Sequence, residues 1–168
     1  RRQGRRVDFA ADRSRGRRIH PLASDRTLMA ERILGVDYGD VRTGLAVSDT
    51  LGMLASGIGY VCARGMKKTA LLVAQKAAEY SVSRIIVGLP INMNGTYGPR
   101  AEHAKYFAEM LGELTGLEVE LFDERCSTMA AYKILNLTDT RGKKRKEAVD
   151  TLSAQIILQN YLDSHRRA

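Results

Sequence analysis

Apolar stretches alternate with polar, glycine-bearing links along the chain from residue 32 onward, and this pattern predicts a sheet. The first two stretches, 32–38 and 43–49, are rich in β-forming residues and are joined by the tight link "GDVR", so they predict an antiparallel hairpin. A third short strand is predicted at about 57–62. The apolar run "SRIIVGLP" and the later stretch "LEVELFDER" predict two more strands, the first of a buried type.

Helices are predicted between the later strands. One helix covers 66–80. A second begins at Pro99, carries apolar residues at three- and four-residue steps, and ends at Gly116. A hairpin followed by alternating strands and helices predicts an α/β fold with a mixed sheet and helices on both faces.

The last part of the chain predicts two helices separated by a basic segment. Ser127 or Thr128 can cap a short helix that reaches about Leu135. The segment "TRGKKRK" is predicted to form a loop, and a final helix is predicted at about 146–163. The basic loop therefore leads directly into the last helix.

Charge separates the first 28 residues from the rest of the chain. They hold nine arginines against three aspartates, so they carry +6 of the net charge of +8 and leave +2 for residues 29–168. They are poor in apolar residues and lack a clear period, which predicts a disordered extension. Met29 resembles a translation start, so we interpret residues 1–28 as an upstream or vector-derived extension. A nucleic-acid-binding arm and a targeting peptide are the alternatives.

The remaining composition narrows the class of protein. A length of 168 residues suits one main domain, here 29–168. Two cysteines and three scattered histidines indicate neither a disulfide framework nor a thiolate or histidine metal cage. The sequence lacks an apolar run of transmembrane length and the apolar segment of a signal peptide. We therefore expect a cytoplasmic protein without a membrane partner, either a monomer or a homodimer.

Two acidic residues stand where apolar side chains are expected. Asp37 follows "ILGV" at the end of the first predicted strand. Asp150 lies on the apolar face of the last helix, since Ala154, Ile157 and Tyr161 follow it by four, seven and eleven positions. A buried carboxylate requires a proton, a cation or a metal. Gly44, in the second strand, would let a ligand or another backbone approach closely.

A third acidic pair, Asp123-Glu124, closes the strand "LEVELF". Carboxylates at neighbouring strand and helix ends suit Mg²⁺ or Mn²⁺, which bind oxygen ligands and substrate phosphates. Two such ions can promote phosphodiester hydrolysis. For any single acid, a helix cap or an ion pair with Arg42, Arg125 or Lys146 is the simpler interpretation. Periodicity alone does not choose between Asp123 and Glu124.

Several motifs, in order, resemble the YqgF/RuvX family over roughly 32–163. They are "GVDYGDVRTGLAVSD", "IIVGLPINMNGTYGPRA", "DERCST" and "KKRKEAVDTLSAQIILQNYL". Members of this family are described as candidate Holliday junction resolvases and as pre-16S ribosomal RNA nucleases. The resemblance implies a ribonuclease H-like, resolvase-type three-layer fold with a mixed five-stranded sheet. It also implies metal-dependent hydrolysis by Asp37, Glu124 and Asp150, with Asp37 as the central ligand of Mg²⁺ or Mn²⁺.

Basic residues near these acids are candidates for nucleic-acid contact. The simpler interpretation of "RGKKRK" is a solvent-exposed loop without a functional role. Its closeness to Asp150 instead favours contact with the phosphate backbone, without sequence readout. The loop "INMNGTYGP" leads to a helix start that could attract a phosphate, and Tyr97 could stack on a base, although the loop can also be a plain connector. The candidate nucleic-acid-binding residues are Arg42, Arg100, Arg125, Lys143, Lys144, Arg145 and Lys146.

The favoured function is a nuclease acting on structured RNA, namely precursor ribosomal RNA or a ribosomal particle, in 5′-end maturation of pre-16S ribosomal RNA. A structure-selective resolvase of branched DNA would use the same carboxylates. A phosphate-binding ATPase of the actin and sugar-kinase type is disfavoured, because 140 residues are too few for its two large domains. A catalytically silent nucleic-acid-binding module is the remaining alternative.

Overall fold

The computed structural model describes residues 31–92, 94–123 and 143–166, with side chains from residue 149 onward in the last range. Five strands form one sheet. In chain order they are β1 (Arg32–Asp37), β2 (Arg42–Ser48), β3 (Ala55–Cys62), β4 (Val82–Leu89) and β5 (Glu118–Asp123).

The sheet is mixed, as the sequence predicts. Its spatial order is β3-β2-β1-β4-β5. The first three strands form antiparallel pairs, while β4 runs parallel to both β1 and β5. Because β1, β4 and β5 point the same way, their carboxyl ends meet at one edge of the sheet, where ligands bind in open α/β folds.

In the described ranges, three helices cover the two faces of the sheet. Helices α1 (Met66–Glu79) and α2 (Pro99–Thr115) pack together on one face, and α3 (Lys143–Arg166) crosses the strands β1, β2 and β3 on the other. The face under α1 and α2 buries one apolar core, and the face under α3 buries a smaller one. The described part of the chain therefore forms three layers, with the sheet between helices on its two faces. The alternation in β1 follows from this: Leu34 and Val36 are fully buried under α1 and α2, whereas Gly35 meets α3.

Helix α2 has the ends that the sequence predicts. Pro99 occupies its first turn, where its missing N–H costs no hydrogen bond. Gly116 adopts a φ of 67° and donates its backbone N–H to the carbonyl of Gly112. Glycine suits this left-handed position because it has no β-carbon to cause strain.

Two predicted boundaries are wrong. Strand β3 begins at Ala55 rather than 57, because its N–H donates to the Gln159 side chain and its carbonyl accepts from Gln155. Helix α3 begins at Lys143 rather than 146, so the predicted basic loop is partly the first turn of a helix. Lysine, arginine, glutamate and alanine favour helix, and neither glycine nor proline interrupts 143–166.

Glycines let α3 lie close against the sheet. A β-carbon at Gly35 would lie 2.6 Å from the β-carbon of Leu158, and one at Gly57 would lie 2.5 Å from the Thr151 methyl. At the far end of α3, the Tyr161 hydroxyl donates to Glu120 at 2.9 Å and accepts from Arg84 at 3.0 Å. These contacts fix the helix over the strands that carry the acidic site.

Some sequence predictions lie outside the described residues. They concern the extension 1–28, the short helix that starts at Ser127 or Thr128, and Glu124, the second residue of the acidic pair Asp123-Glu124. Within the ranges the structure does describe, every helix is too short or too polar to cross a membrane.

Candidate active site

Asp37 ends β1 at the edge where the parallel strands finish. Burial raises the pKa of its carboxyl from an ordinary value of 3.8 to about 6, and the nearby negative charge of Asp150 adds to this increase. The charge of Arg100 and a hydrogen bond from Ser153 act in the opposite direction. Asp37 is therefore a partly buried acid beside a second acid, an arrangement that favours a bound cation.

Asp150 reaches Asp37 because α3 and β2 touch at a glycine. Gly44 pairs with Asp37 across the hairpin, and a β-carbon at Gly44 would overlap the backbone carbonyl of Asp150. On α3, the residues that follow Asp150 on the same face are fully or almost fully buried: Ala154, Ile157 and Tyr161. Asp150 thus continues an apolar stripe, as the sequence predicts.

Arg42 stands beside Asp150 at the start of β2. Its guanidinium lies 3.7 Å from the Asp150 carboxylate and 5.7 Å from the centroid of the Tyr60 ring on β3. Both side chains of the ion pair keep some exposure, 22% for Arg42 and 29% for Asp150. The guanidinium can therefore still reach a ligand from solution.

The start of α2 borders the site from the other face. Tyr38, directly after Asp37, stacks on Phe107 with ring centroids 4.3 Å apart. His103 lies 3.7 Å from Asp40. These contacts hold the N-terminal half of α2 against the β1–β2 turn. Arg100, in the first turn of α2, is close enough for its charge to lower the pKa of Asp37.

The residues present fit a hard divalent cation. Asp37 and Asp150 offer only oxygen donors, and their mutual repulsion in a largely buried position is relieved by positive charge. In the described ranges, no group of three or more histidine, cysteine or acidic residues comes together. The predicted third ligand, Glu124, is the residue after β5, which ends at Asp123 on the same edge of the sheet as Asp37.

The other predicted site residues are all basic, and they lie in different parts of the chain. Arg42 and Arg100 lie at the site. Arg125 lies outside the described residues. The backbone of Lys143, Lys144, Arg145 and Lys146 forms the first turn of α3. Asp150 follows Lys143 by seven positions, or about 10 Å along a helix axis.

Asp49, an acid that directly follows β2, has a different task. It follows β2 at the opposite end of the hairpin from Asp37. Its carboxylate accepts backbone hydrogen bonds from Met53 at 2.6 Å and Leu54 at 3.2 Å, and these bonds lower its pKa. Asp49 therefore caps the β2–β3 turn.

Sequence analysis missed two contributors to the site. Ser153 is buried and donates a hydrogen bond to the Asp37 carboxylate. Its spacing of three residues from Asp150 on a helix was the available signal. Tyr60 supports Arg42 from β3, and this contact depends on strand register, which the sequence pattern alone does not give.

Solved structures with the same fold include two Holliday junction resolvases. One is the RuvC protein of T. thermophilus in complex with a Holliday junction substrate, with a TM-score of 0.54, 13% identity, and coverage of 82% of this chain and 97% of that one. The other is the Fowlpox virus resolvase in complex with its junction DNA, with a TM-score of 0.51, 16% identity, and coverage of 80% and 98%. At these identities the likeness concerns the fold, and it confirms the predicted ribonuclease H-like class.

Sequence relatives share much more of the chain. A protein of Myxococcus xanthus named "Putative pre-16S rRNA nuclease" is 44% identical over 135 residues, covering 80% of this chain and 89% of its own length. A protein of Bacillus cytotoxicus with the same name is 48% identical, with coverage of 79% and 98%. The family model RuvX, described as Holliday junction resolvase, matches residues 31–164. The chain belongs to the RuvX family, as its motifs predict.

Proposed function

We propose that this protein is a divalent-metal-dependent nuclease that hydrolyses phosphodiester bonds during 5′-end maturation of pre-16S ribosomal RNA. The carrying observation is the pairing of the partly buried Asp37 with Asp150 through the contact at Gly44. The predicted enzyme class, a hydrolase of nucleic-acid ester bonds, is confirmed by the family match and by the names of the relatives. The proposal places this activity in the cytoplasm.

Asp37, Glu124 and Asp150 would hold the metal, with Mg²⁺ or Mn²⁺ as the ion. Such ions activate a water molecule and stabilise the leaving oxygen in phosphodiester hydrolysis. Support comes from the raised pKa of Asp37, since a group that resists ionisation because of burial and a second acid is stabilised by a bound cation. Support for Glu124 is positional, because it follows the end of β5.

The remaining side chains would bind and orient the substrate. The buried Ser153 of α3 would help to orient the Asp37 carboxylate through its hydrogen bond. Arg42 and Arg100 flank the acids and would bind phosphate oxygens, which a cluster of bare carboxylates would repel. Arg125 and the cations Lys143, Lys144, Arg145 and Lys146 would extend this contact along the backbone of the nucleic acid.

Structured RNA is the favoured substrate because the relatives at 41–48% identity carry the name of a pre-16S ribosomal RNA nuclease. The description of the family model as Holliday junction resolvase favours branched DNA as the second candidate. The same carboxylates and arginines would serve either backbone. The 2′-hydroxyl is the chemical difference through which the protein would separate them.

The test is a cleavage assay on precursor 16S ribosomal RNA beside a four-way DNA junction, each with and without Mg²⁺ or Mn²⁺. We expect metal-dependent cleavage of the RNA precursor by wild type and its loss in Asp37→Asn. Asp49→Asn is the matched control, because it makes the same chemical change at an acid remote from the site. Preferential cleavage of the junction would replace the RNA assignment, and equal cleavage by wild type and Asp37→Asn would overturn the assigned site.

A further inference from the structure

Tyr97 is an exposed aromatic residue just before helix α2. It is 55% exposed and forms an isolated antiparallel bridge with Ile91. The loop between them is closed by backbone hydrogen bonds from Asn92 to Thr96 at 3.0 Å and from Gly95 to Asn92 at 2.8 Å. The Asn92 side chain adds a hydrogen bond to the Thr96 hydroxyl at 2.9 Å. Tyr97 is therefore fixed at the backbone while much of its ring meets solvent.

A lysine of α2 holds the ring from one side. The Lys105 ammonium lies 4.2 Å from the centroid of the Tyr97 ring. Glu102 fixes the same ammonium at 2.9 Å, and this hydrogen bond raises the pKa of Lys105, which keeps it positively charged. A cation at this distance is attracted to the face of the ring. The ring is thus held in place before any ligand arrives.

The ring stands at the border of the candidate active site. Tyr97 is two residues before the start of α2 and three before Arg100, whose charge acts on Asp37. The same stretch of α2 is fixed to the β1–β2 turn by the Tyr38–Phe107 stack and by the His103–Asp40 pair. The Tyr97 loop therefore leads directly into the part of α2 that contacts the β1–β2 turn beside Asp37.

We infer that Tyr97 stacks on an unpaired nucleobase next to the phosphate that Arg42 and Arg100 bind beside the acidic site, so that the site selects nucleic acid with unpaired nucleotides beside a helix. This inference rests on the proposed nuclease function. Base-on-aromatic stacking accepts any base, because every base has a π face. A fully paired duplex keeps its bases stacked on each other and offers none to the ring. The preference is thus for structure and not for sequence.

The absence of tryptophan from the chain provides a direct probe. Tyr97→Trp introduces a single tryptophan at position 97. Tyr106→Trp is the matched control, because Tyr106 is also an exposed tyrosine and lies on α2. Both are titrated, in EDTA, with an RNA hairpin that carries a single-stranded extension and with the same hairpin with a blunt end. We expect the extended RNA to quench Tyr97→Trp fluorescence strongly, and the blunt RNA to leave it nearly unchanged.

Affinities of the tyrosine variants complete the test. Tyr97→Leu should bind the extended RNA roughly tenfold more weakly, the loss expected for one stacking contact, and the blunt hairpin within about twofold of wild type. Tyr97→Phe should retain wild-type binding, because it keeps the ring. Equal quenching of both tryptophan variants, equal loss on both RNAs, or no binding of the extended RNA by wild type would each overturn the inference.

Binding in EDTA separates this inference from the proposed function. Selective quenching together with a lack of metal-dependent cleavage would overturn the nuclease and retain the stacking contact. Metal-dependent cleavage that is unaffected by Tyr97→Leu on extended substrates would retain the nuclease and overturn the stacking contact.

Discussion

Gly44 lies directly against the backbone carbonyl of Asp150, with no room for a β-carbon between them. Across the hairpin, Gly44 is the partner of Asp37. Gly44 thus limits how closely α3 approaches β2 beside Asp37, and hence how closely the two acids approach each other. Asp37 and Asp150 are 113 positions apart in the chain, and the distance between them depends on the absence of a side chain at Gly44.

Gly44→Ala should separate the two acids. The added methyl group must push α3 away from β2, and overpacking of this kind costs about 1–3 kcal/mol of the free energy of unfolding. Cleavage should fall further, roughly a hundredfold, because small displacements of catalytic groups cost that much in rate. Denaturant unfolding and the cleavage rate of the folded variant measure the two effects.

Gly112→Ala is the control for that substitution. Gly112 lies within α2, and a β-carbon there would come no closer than 3.7 Å to Val119. Alanine should be neutral or stabilise the helix by up to about 1 kcal/mol, with cleavage unchanged. If Gly44→Ala behaved like Gly112→Ala in both measurements, the close contact would not control the site.

The stability of the metal-free protein should depend on pH through Asp37. The pKa of this carboxyl is about 6 in the fold and near 3.8 when the chain is unfolded, so the folded state binds the proton more tightly. Stability should therefore fall as pH rises from about 4 to 6, and the loss is complete above 6. Two pKa units correspond to roughly 3 kcal/mol.

Asp37→Asn tests this prediction, since asparagine stays neutral at every pH. In EDTA at neutral pH the variant should be more stable than wild type, and the difference should shrink towards pH 4. Urea unfolding of both proteins over this pH range measures the difference. A variant that is less stable than wild type at neutral pH would show that burial and Asp150 do not disfavour the charge of Asp37.

Arg42→Met should weaken RNA binding in a salt-dependent way. If Arg42 contacts one phosphate, its loss should reduce the slope of log affinity against log salt concentration by about 1. Lys76→Met is the control, because it removes the same charge from the end of α1 that leads to the start of β4, away from the acidic edge. Equal slopes for the two variants would contradict a role for Arg42 in binding.

Much of the fold could be predicted because its signals are local. The buried strands, the proline and glycine that bound α2, and the apolar stripe after Asp150 each depend on neighbouring residues. The start of β3 could not be predicted, since Ala55 is held by Gln155 and Gln159 from about 100 positions away. The first turn of α3 was missed because a run of cations resembles a solvated loop although its residues favour helix.

The site was predictable in part. Two carboxylates on otherwise apolar faces indicated Asp37 and Asp150 without any knowledge of the fold. The hydrogen bond from Ser153 and the ring of Tyr60 under Arg42 were not predictable, because they depend on how α3 and β3 meet the hairpin. Register and crossing geometry are set by packing between distant segments, which a linear pattern does not contain.

Calorimetric titration with Mn²⁺ tests the central claim, that Asp37 and Asp150 hold a divalent cation, most directly. Wild type, Asp37→Asn, Asp150→Asn and Glu124→Gln are compared at neutral pH, with Asp49→Asn as the control. We expect Mn²⁺ binding by wild type and Asp49→Asn, and an affinity at least tenfold weaker in the other three variants. Wild-type affinity in Asp37→Asn or Asp150→Asn would show that these carboxylates do not hold the ion.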